Sequence, residues 1–162
     1  MKILRRGYEW LVSVTTKLQS PFLLVVRVYW GWQFAQSGWG HLTHMQKTIE
    51  FFTSLNIPLP AANAWFISLL ELIGGALLIM GLGSRLVALL LTGDMVVAYI
   101  TADRDALKAI FANDNSAFLN AAEFSLLAAA LVILFFGPGK ISLDYLIERR
   151  MGNHASISAD AR

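Results

Sequence analysis

Two apolar runs, Ala64–Leu82 and Leu86–Ile100, are separated only by Gly83, Ser84 and Arg85. A helical run of about 18 or more apolar residues is long enough to cross the hydrocarbon core of a bilayer. Two such runs with so short a link must form an antiparallel helical hairpin. Each run carries one carboxylate near its middle, Glu71 and Asp94. A carboxylate at that depth is costly, and it marks a candidate functional site.

The rest of the chain agrees with a membrane protein. Hydrophobic residues make up 56% and charged residues 15%, against about 45–50% and about 25% in soluble domains. The length of 162 residues suits one compact bundle. The chain has no cysteine, which excludes a disulfide framework, a thiolate-held iron–sulfur cluster and a dithiol relay within it. A net charge of +2 offers no basic stripe for nucleic acid.

Lys2, Arg5 and Arg6, with Leu4, Tyr8, Leu11 and Val12 at helical spacing, predict a basic amphipathic helix on the membrane surface over residues 1–20. Pro21 then opens a first span, about 21–39, that contains Arg27. Thr43 and Gln46 fit a capping box for a second short amphipathic helix, stopped by Asn56 and Pro58-Leu59-Pro60. Further spans are expected at about 62–82, 84–102 and 117–136, the last containing Glu123 and ending at Gly137-Pro138-Gly139. The expected fold is all-α: an integral membrane four-helix bundle over residues 1–150, then a flexible polar tail, 151–162. Positive charge clusters on one side, at Lys2, Arg5, Arg6, Lys17, Arg85, Lys140, Arg149, Arg150 and Arg162. The other side holds Lys47, Arg104 and Lys108. Positive-inside reasoning therefore predicts a multi-pass protein of the cytoplasmic (inner) membrane with both termini in the cytoplasm.

Each expected span holds one ionisable group: Arg27, Glu71, Asp94 or Glu123. At 1.5 Å per residue, Arg27 lies roughly 9 Å from the inner end and Glu123 roughly 9 Å from the outer end, with Glu71 and Asp94 near mid-depth. The charged form of such a group costs about 2.5–3.5 kcal/mol at a helix centre on insertion scales, so all four should face the bundle interior. Arg27 is expected to reach toward Glu71 or Asp94. Three acids against one base leave a surplus, so at least one carboxyl is expected to keep its proton, as a proton relay or general acid requires. An Arg–Glu pair inside a small bundle can equally be structural. His41 and His44 have a spacing that could hold a metal, but no third ligand is near in sequence, and an interfacial pair is the simpler expectation. Trp65 and Tyr99 are interface anchors or the lining of an aromatic pocket. No phosphate loop, nucleophile triad or haem-attachment motif is present. No intrinsic cofactor or metal is expected, so redox work would need a bound lipid-soluble molecule or a partner.

Several pieces taken together resemble the DoxX family of small four-span bacterial membrane proteins. They are Arg27-x-x-x-Gly31-x-x-Phe34-x-x-x-Gly38, Trp39-Gly40-His41-Leu42 and Phe51-Phe52-x-x-Leu55-Asn56-Ile57-Pro58-x-Pro60, followed by Glu71-x-x-Gly74-Gly75, Gly81-Leu82-x-Ser84-Arg85 and Phe136-Gly137-Pro138-Gly139-Lys140-x-Ser142-Leu143-Asp144. The resemblance covers roughly residues 21–146. It implies a cytoplasmic-membrane protein related to the DoxD-type subunit of thiosulfate:quinone oxidoreductase, and complexes that handle oxidative stress. Arg27 and Glu71 match family positions, His41 stands where members often carry Lys, and Asp94 and Glu123 fall on no family motif. Three functions follow as expectations. The first is a subunit of a quinone-linked redox complex, with quinone as ligand and an oxidoreductase subunit or a second copy of the chain as partner. The others are a non-catalytic scaffold and a small proton-coupled transporter. No motif decides whether the chain is an enzyme.

Overall fold

The computed structural model describes residues 2–111 and 116–160, and every regular element among them is helical. Asp114 and its two Asn neighbours lie outside the described residues. Helix α1 (Lys2–Thr43) is followed by α2 (Met45–Ser54), α3 (Pro60–Met80) and α4 (Ser84–Thr101). Then come α5 (Arg104–Phe111), α6 (Ser116–Asn120), α7 (Ala122–Phe136) and α8 (Leu143–Asp160). Three helices contain stretches long and apolar enough to cross a membrane: Leu4–Thr43, Pro60–Met80 and Ser84–Thr101.

The separate surface helix expected before Pro21 is absent. α1 runs through Pro21 without a break. Proline removes one hydrogen bond and crowds the carbonyl four residues back. That carbonyl belongs to Lys17, at an exposed position where solvent can satisfy it. The 42-residue helix is about 63 Å long, twice the hydrocarbon thickness of about 30 Å. Its N-terminal half therefore extends beyond the bundle, with Leu4, Tyr8 and Trp10 exposed.

The capping box does not form either. Thr43 Oγ1 donates back to carbonyls of its own helix, Trp39 and Gly40, and Gln46 pairs with Glu50. α2 is held instead by Thr48, whose hydroxyl lies 3.3 Å from the His41 carbonyl at the end of α1. This folds α2 across the bundle mouth against α3. Asn56 and Leu59 take positive φ in the following turn, and Asn63 Nδ2 donates to the Pro58 carbonyl at 2.6 Å, fixing the start of α3.

The fourth span is shorter than expected. Ala121 is extended (φ −63°, ψ 139°), which separates α6 from a 15-residue α7, about 22 Å long. The break places Glu123 in the first turn of α7, where free N–H groups favour a carboxylate. Its carboxyl accepts from its own backbone N–H. Residues beyond Met151, expected as a tail, are helical to Asp160.

α1, α3, α4 and α7 close an up-down bundle, with contacts from α1 to α3, α3 to α4, α4 to α7 and α7 back to α1. Its core is apolar, centred on Phe34, Leu78, Leu91, Ala130 and Ile133, all fully buried. The α1–α3 seam is closest. A Cβ on Gly31 would lie 2.8 Å from the Gly75 carbonyl, and one on Gly38 would run into the Leu72 amide and Ser68 carbonyl. Small residues let helices approach in lipid, where packing rather than the hydrophobic effect drives association.

Gly38→Ala and Gly75→Ala are therefore expected to lower stability in detergent by about 1–3 kcal/mol each. Gly40→Ala and Gly93→Ala, where a Cβ meets nothing within 4 Å, should be neutral or gain up to about 1 kcal/mol of helix propensity. Thermal unfolding of the four purified variants checks this. Equal losses in all four would remove the seam as the cause.

Candidate functional site: a buried carboxyl pair and its two ends

The four ionisable groups do not converge. Arg27 is completely buried at one end of the bundle. Its Nη2 donates to the Ile141 carbonyl, its Nη1 is packed against Gly81, and its charged neighbour is Asp144. The expected pairing with Glu71 or Asp94 is not made. Glu71 lies ten residues before Gly81 on α3, about 15 Å along the axis.

Asp144 is the residue the sequence reading missed at this end. Its two carboxylate oxygens accept from the Gly83 amide at 2.7 Å and the Ser84 amide at 2.9 Å, and its own amide donates to the Gly81 carbonyl at 2.9 Å. It caps the first turn of α4, where free N–H groups and the helix dipole both favour an anion. Ser142 Oγ accepts from the Tyr145 amide and so caps α8. The loop of residues 137–142 is thus latched to α1 and to the α3–α4 turn. The available signal was Ser142-x-Asp144 directly after a Gly-Pro-Gly break.

Glu71 on α3 and Asp94 on α4 lie on neighbouring helices of the bundle. Both are buried, and Glu71 lies within electrostatic range of Asp94. Glu71 Oε2 and Asp94 Oδ2 have no hydrogen-bond partner among the described residues, and neither do Arg27 Nε, Arg27 Nη1 and Ser84 Oγ at the other end. The group nearest Glu71 is His41, with Nε2 3.5 Å from Oε2. Ser37, one turn earlier on α1, lies 3.4 Å from the same imidazole nitrogen and within reach of the Glu71 carboxyl. The His41 side chain is 37% exposed while that of Glu71 is 5% exposed, so the histidine bridges the buried acid and the bundle mouth. His44 does not join it: its Nδ1 lies 3.1 Å from the Gly40 carbonyl. Among the described residues no group of three or more His, Asp or Glu is placed to hold a metal.

Glu123 lies apart from this set, beside Asp103 at the mouth. Tyr99 is no interface anchor. It is buried, donates to the Phe118 carbonyl at 3.0 Å and stacks on the Phe118 ring at 4.7 Å. Trp65 is half exposed.

A small membrane bundle with a buried carboxyl pair and a histidine at its mouth is the class that this geometry defines. The DoxX family profile matches residues 22–104, and the chain belongs to that family. It is also 34% identical over 136 residues to "Putative oxidoreductase CatD" of Bacillus subtilis (strain 168), covering 84% of this chain and 93% of the relative. No solved structure matches.

Gly81 and Gly83 both have positive φ, +72° and +58°, a conformation that costs a Cβ-bearing residue about 1–2 kcal/mol. Only at Gly81 would the Cβ also collide with the Arg27 guanidinium. Gly81→Ala should therefore unfold well below Gly83→Ala in a melting experiment. Asp144→Ala should cost about 0.5–2 kcal/mol through the lost cap. Equal melting of the two glycine variants would refute the packing of Arg27 on Gly81.

Proposed function

We propose that this protein is a small inner-membrane subunit of a quinone-linked redox or oxidative-stress complex, in which Glu71, Asp94, His41 and Ser37 hold and pass protons. The observation that carries the reading is the buried Glu71–Asp94 pair with unmet oxygens, joined to the half-exposed imidazole of His41. Unmet buried polar atoms are costly and call for an explanation such as a ligand or a catalytic role. The name of the Bacillus relative, "Putative oxidoreductase CatD", points the same way. When bound, a quinone would supply a two-electron, two-proton acceptor. The residues present fit it, because a quinone oxygen needs a proton donor at the point where it gains charge, and Glu71, Asp94 and His41 are titratable donors at one depth. Arg27 and Asp144 have a structural part in this reading, as the latch of the opposite end. The electrons come from a partner, since the chain itself carries no thiolate or cofactor-attachment motif. The Arg27 end, with Arg85 and Lys140, faces the cytoplasm by the positive-inside rule, and the His41 end faces outward.

Purification from native membranes in mild detergent, with mass spectrometry of co-purifying proteins and lipid-soluble molecules, tests the reading. A stoichiometric quinone together with an oxidoreductase subunit is expected. Glu71→Gln should leave that complex assembled and lower its quinone turnover by about 10²–10⁴, the usual scale of a lost acid–base group. Exposed Glu50→Gln should change nothing. Full turnover in assembled Glu71→Gln complex, or a partner without quinone, would move the protein to a scaffold role.

A further inference from the structure

The two ends of the bundle are not equivalent for a proton. Between Glu71 and the Arg27 latch lies a layer of fully buried apolar side chains from four helices: Phe34, Leu78, Leu91 and Ile133. None of them can donate or accept a proton. Beyond that layer Arg27 is fully buried, packed on Gly81 and bonded to the Ile141 carbonyl. On the α4–α7 side, toward the mouth, stand buried Met95 and buried Tyr99, whose hydroxyl is committed to the Phe118 carbonyl. The polar groups that continue from Glu71 on α1 are Ser37, then the half-exposed imidazole of His41, two residues before the helix ends at Thr43. The hydroxyls of Ser68 on α3 and Thr48 on α2 are engaged with backbone carbonyls, Ser68 with Ala64 and Thr48 with His41 and His44.

The geometry points to a one-sided proton port: Glu71 and Asp94 exchange protons with the aqueous phase at the His41 end, through His41 and Ser37, and not with the phase at the Arg27 end. The transfer is balanced. The Glu71 carboxyl gives its proton to Nε2 of neutral His41, and the imidazolium releases the proton on Nδ1 to water at the mouth. Reversal reloads Glu71. The groups that face Glu71 from its packed neighbours are His41 and Ser37 on α1 and Asp94 on α4. α2, above them, turns Thr48 inward and keeps Lys47 and Glu50 exposed. A port of this kind would make any proton chemistry at the pair draw on, or discharge to, one compartment only. The inference rests on the reading of Glu71 and Asp94 as proton-handling groups, but not on quinone or on a partner.

The test uses the full chain in proteoliposomes. A hydrophobic carbodiimide modifies a buried carboxyl only while it is protonated, because the carboxylic acid O–H adds across the C=N bond before rearranging to a stable N-acylurea. Peptide mass spectrometry reads the modification at Glu71. Orientation is fixed with Lys47→Cys in the cysteine-free chain, labelled from one side with an impermeant maleimide. The two baths are then varied separately between about pH 6 and about pH 9. The labelling rate at Glu71 is expected to follow the His41-side bath, falling about tenfold per pH unit once past the midpoint. It is expected to ignore the Arg27-side bath. His41→Leu should abolish the response to the His41-side bath, and Ser37→Ala, which removes only a hydroxyl, repeats the test if the first variant does not fold. Labelling that follows the Arg27-side bath, both baths or neither overturns the port. So does a response unchanged in both variants. Absence of quinone from the native complex leaves this result untouched, so the two readings can fail separately.

Discussion

The backbone contact between α1 and α3 is the constraint on which the rest of the structure depends. Gly31 and Gly75 sit against each other's backbone, and Gly38 sits against Ser68 and Leu72. No residue with a Cβ allows that separation. The contact sets the register of α1 against α3, and the register sets everything polar that follows. With Gly38 opposite Ser68 and Leu72, Ser37 and His41 fall beside Glu71. With Gly31 against Gly75, Arg27 falls beside Gly81. A slip of one turn would bury His41 or pull Arg27 away from the Ile141 carbonyl. In lipid there is no hydrophobic penalty to hold the helices together, so this shape match carries the association.

The bundle handles its buried charges in two different ways. At the Arg27 end the polar groups come mainly from backbone: the Ile141 carbonyl, the amides of Gly83 and Ser84, and the Gly81 carbonyl, tied together by Asp144. Such an arrangement fixes chain ends, while Arg27 Nε, Arg27 Nη1 and Ser84 Oγ stay without a partner among the described residues. At mid-depth the groups are side chains, two acids and a histidine, with oxygens left unmet. Low dielectric makes a fully paired network rigid and a partly paired one costly. The two groups of buried charges are separated along the axis by the apolar layer around Phe34 and Leu78.

The fold was largely legible in the chain. Apolar run length set α3 and α4 within a residue or two of their observed bounds, and Gly83 and Pro60 marked their ends. Two elements were not legible. Pro21 suggested a break, but a proline whose orphaned carbonyl sits at an exposed site is tolerated inside a helix. The run at 117–136 suggested one span, but the chain is extended at Ala121, and Glu123 falls in the first turn of α7 rather than in a helix interior. Both depend on where the residue lies relative to solvent and to its neighbours, which periodicity does not encode.

The candidate site divides in the same way. By itself the sequence determined that Arg27, Glu71 and Asp94 are inside the bundle, because the cost of charge in hydrocarbon depends on residue type and depth alone. The partners were decided only by tertiary structure. Arg27 meets the Ile141 carbonyl across more than a hundred residues of chain, and Glu71 meets His41 from a different helix. Charge complementarity in the sequence favoured Arg27 with Glu71, since any acid satisfies any base on paper. The glycine seam rules it out, because it fixes the axial offset of α1 on α3 and leaves those two groups about 15 Å apart.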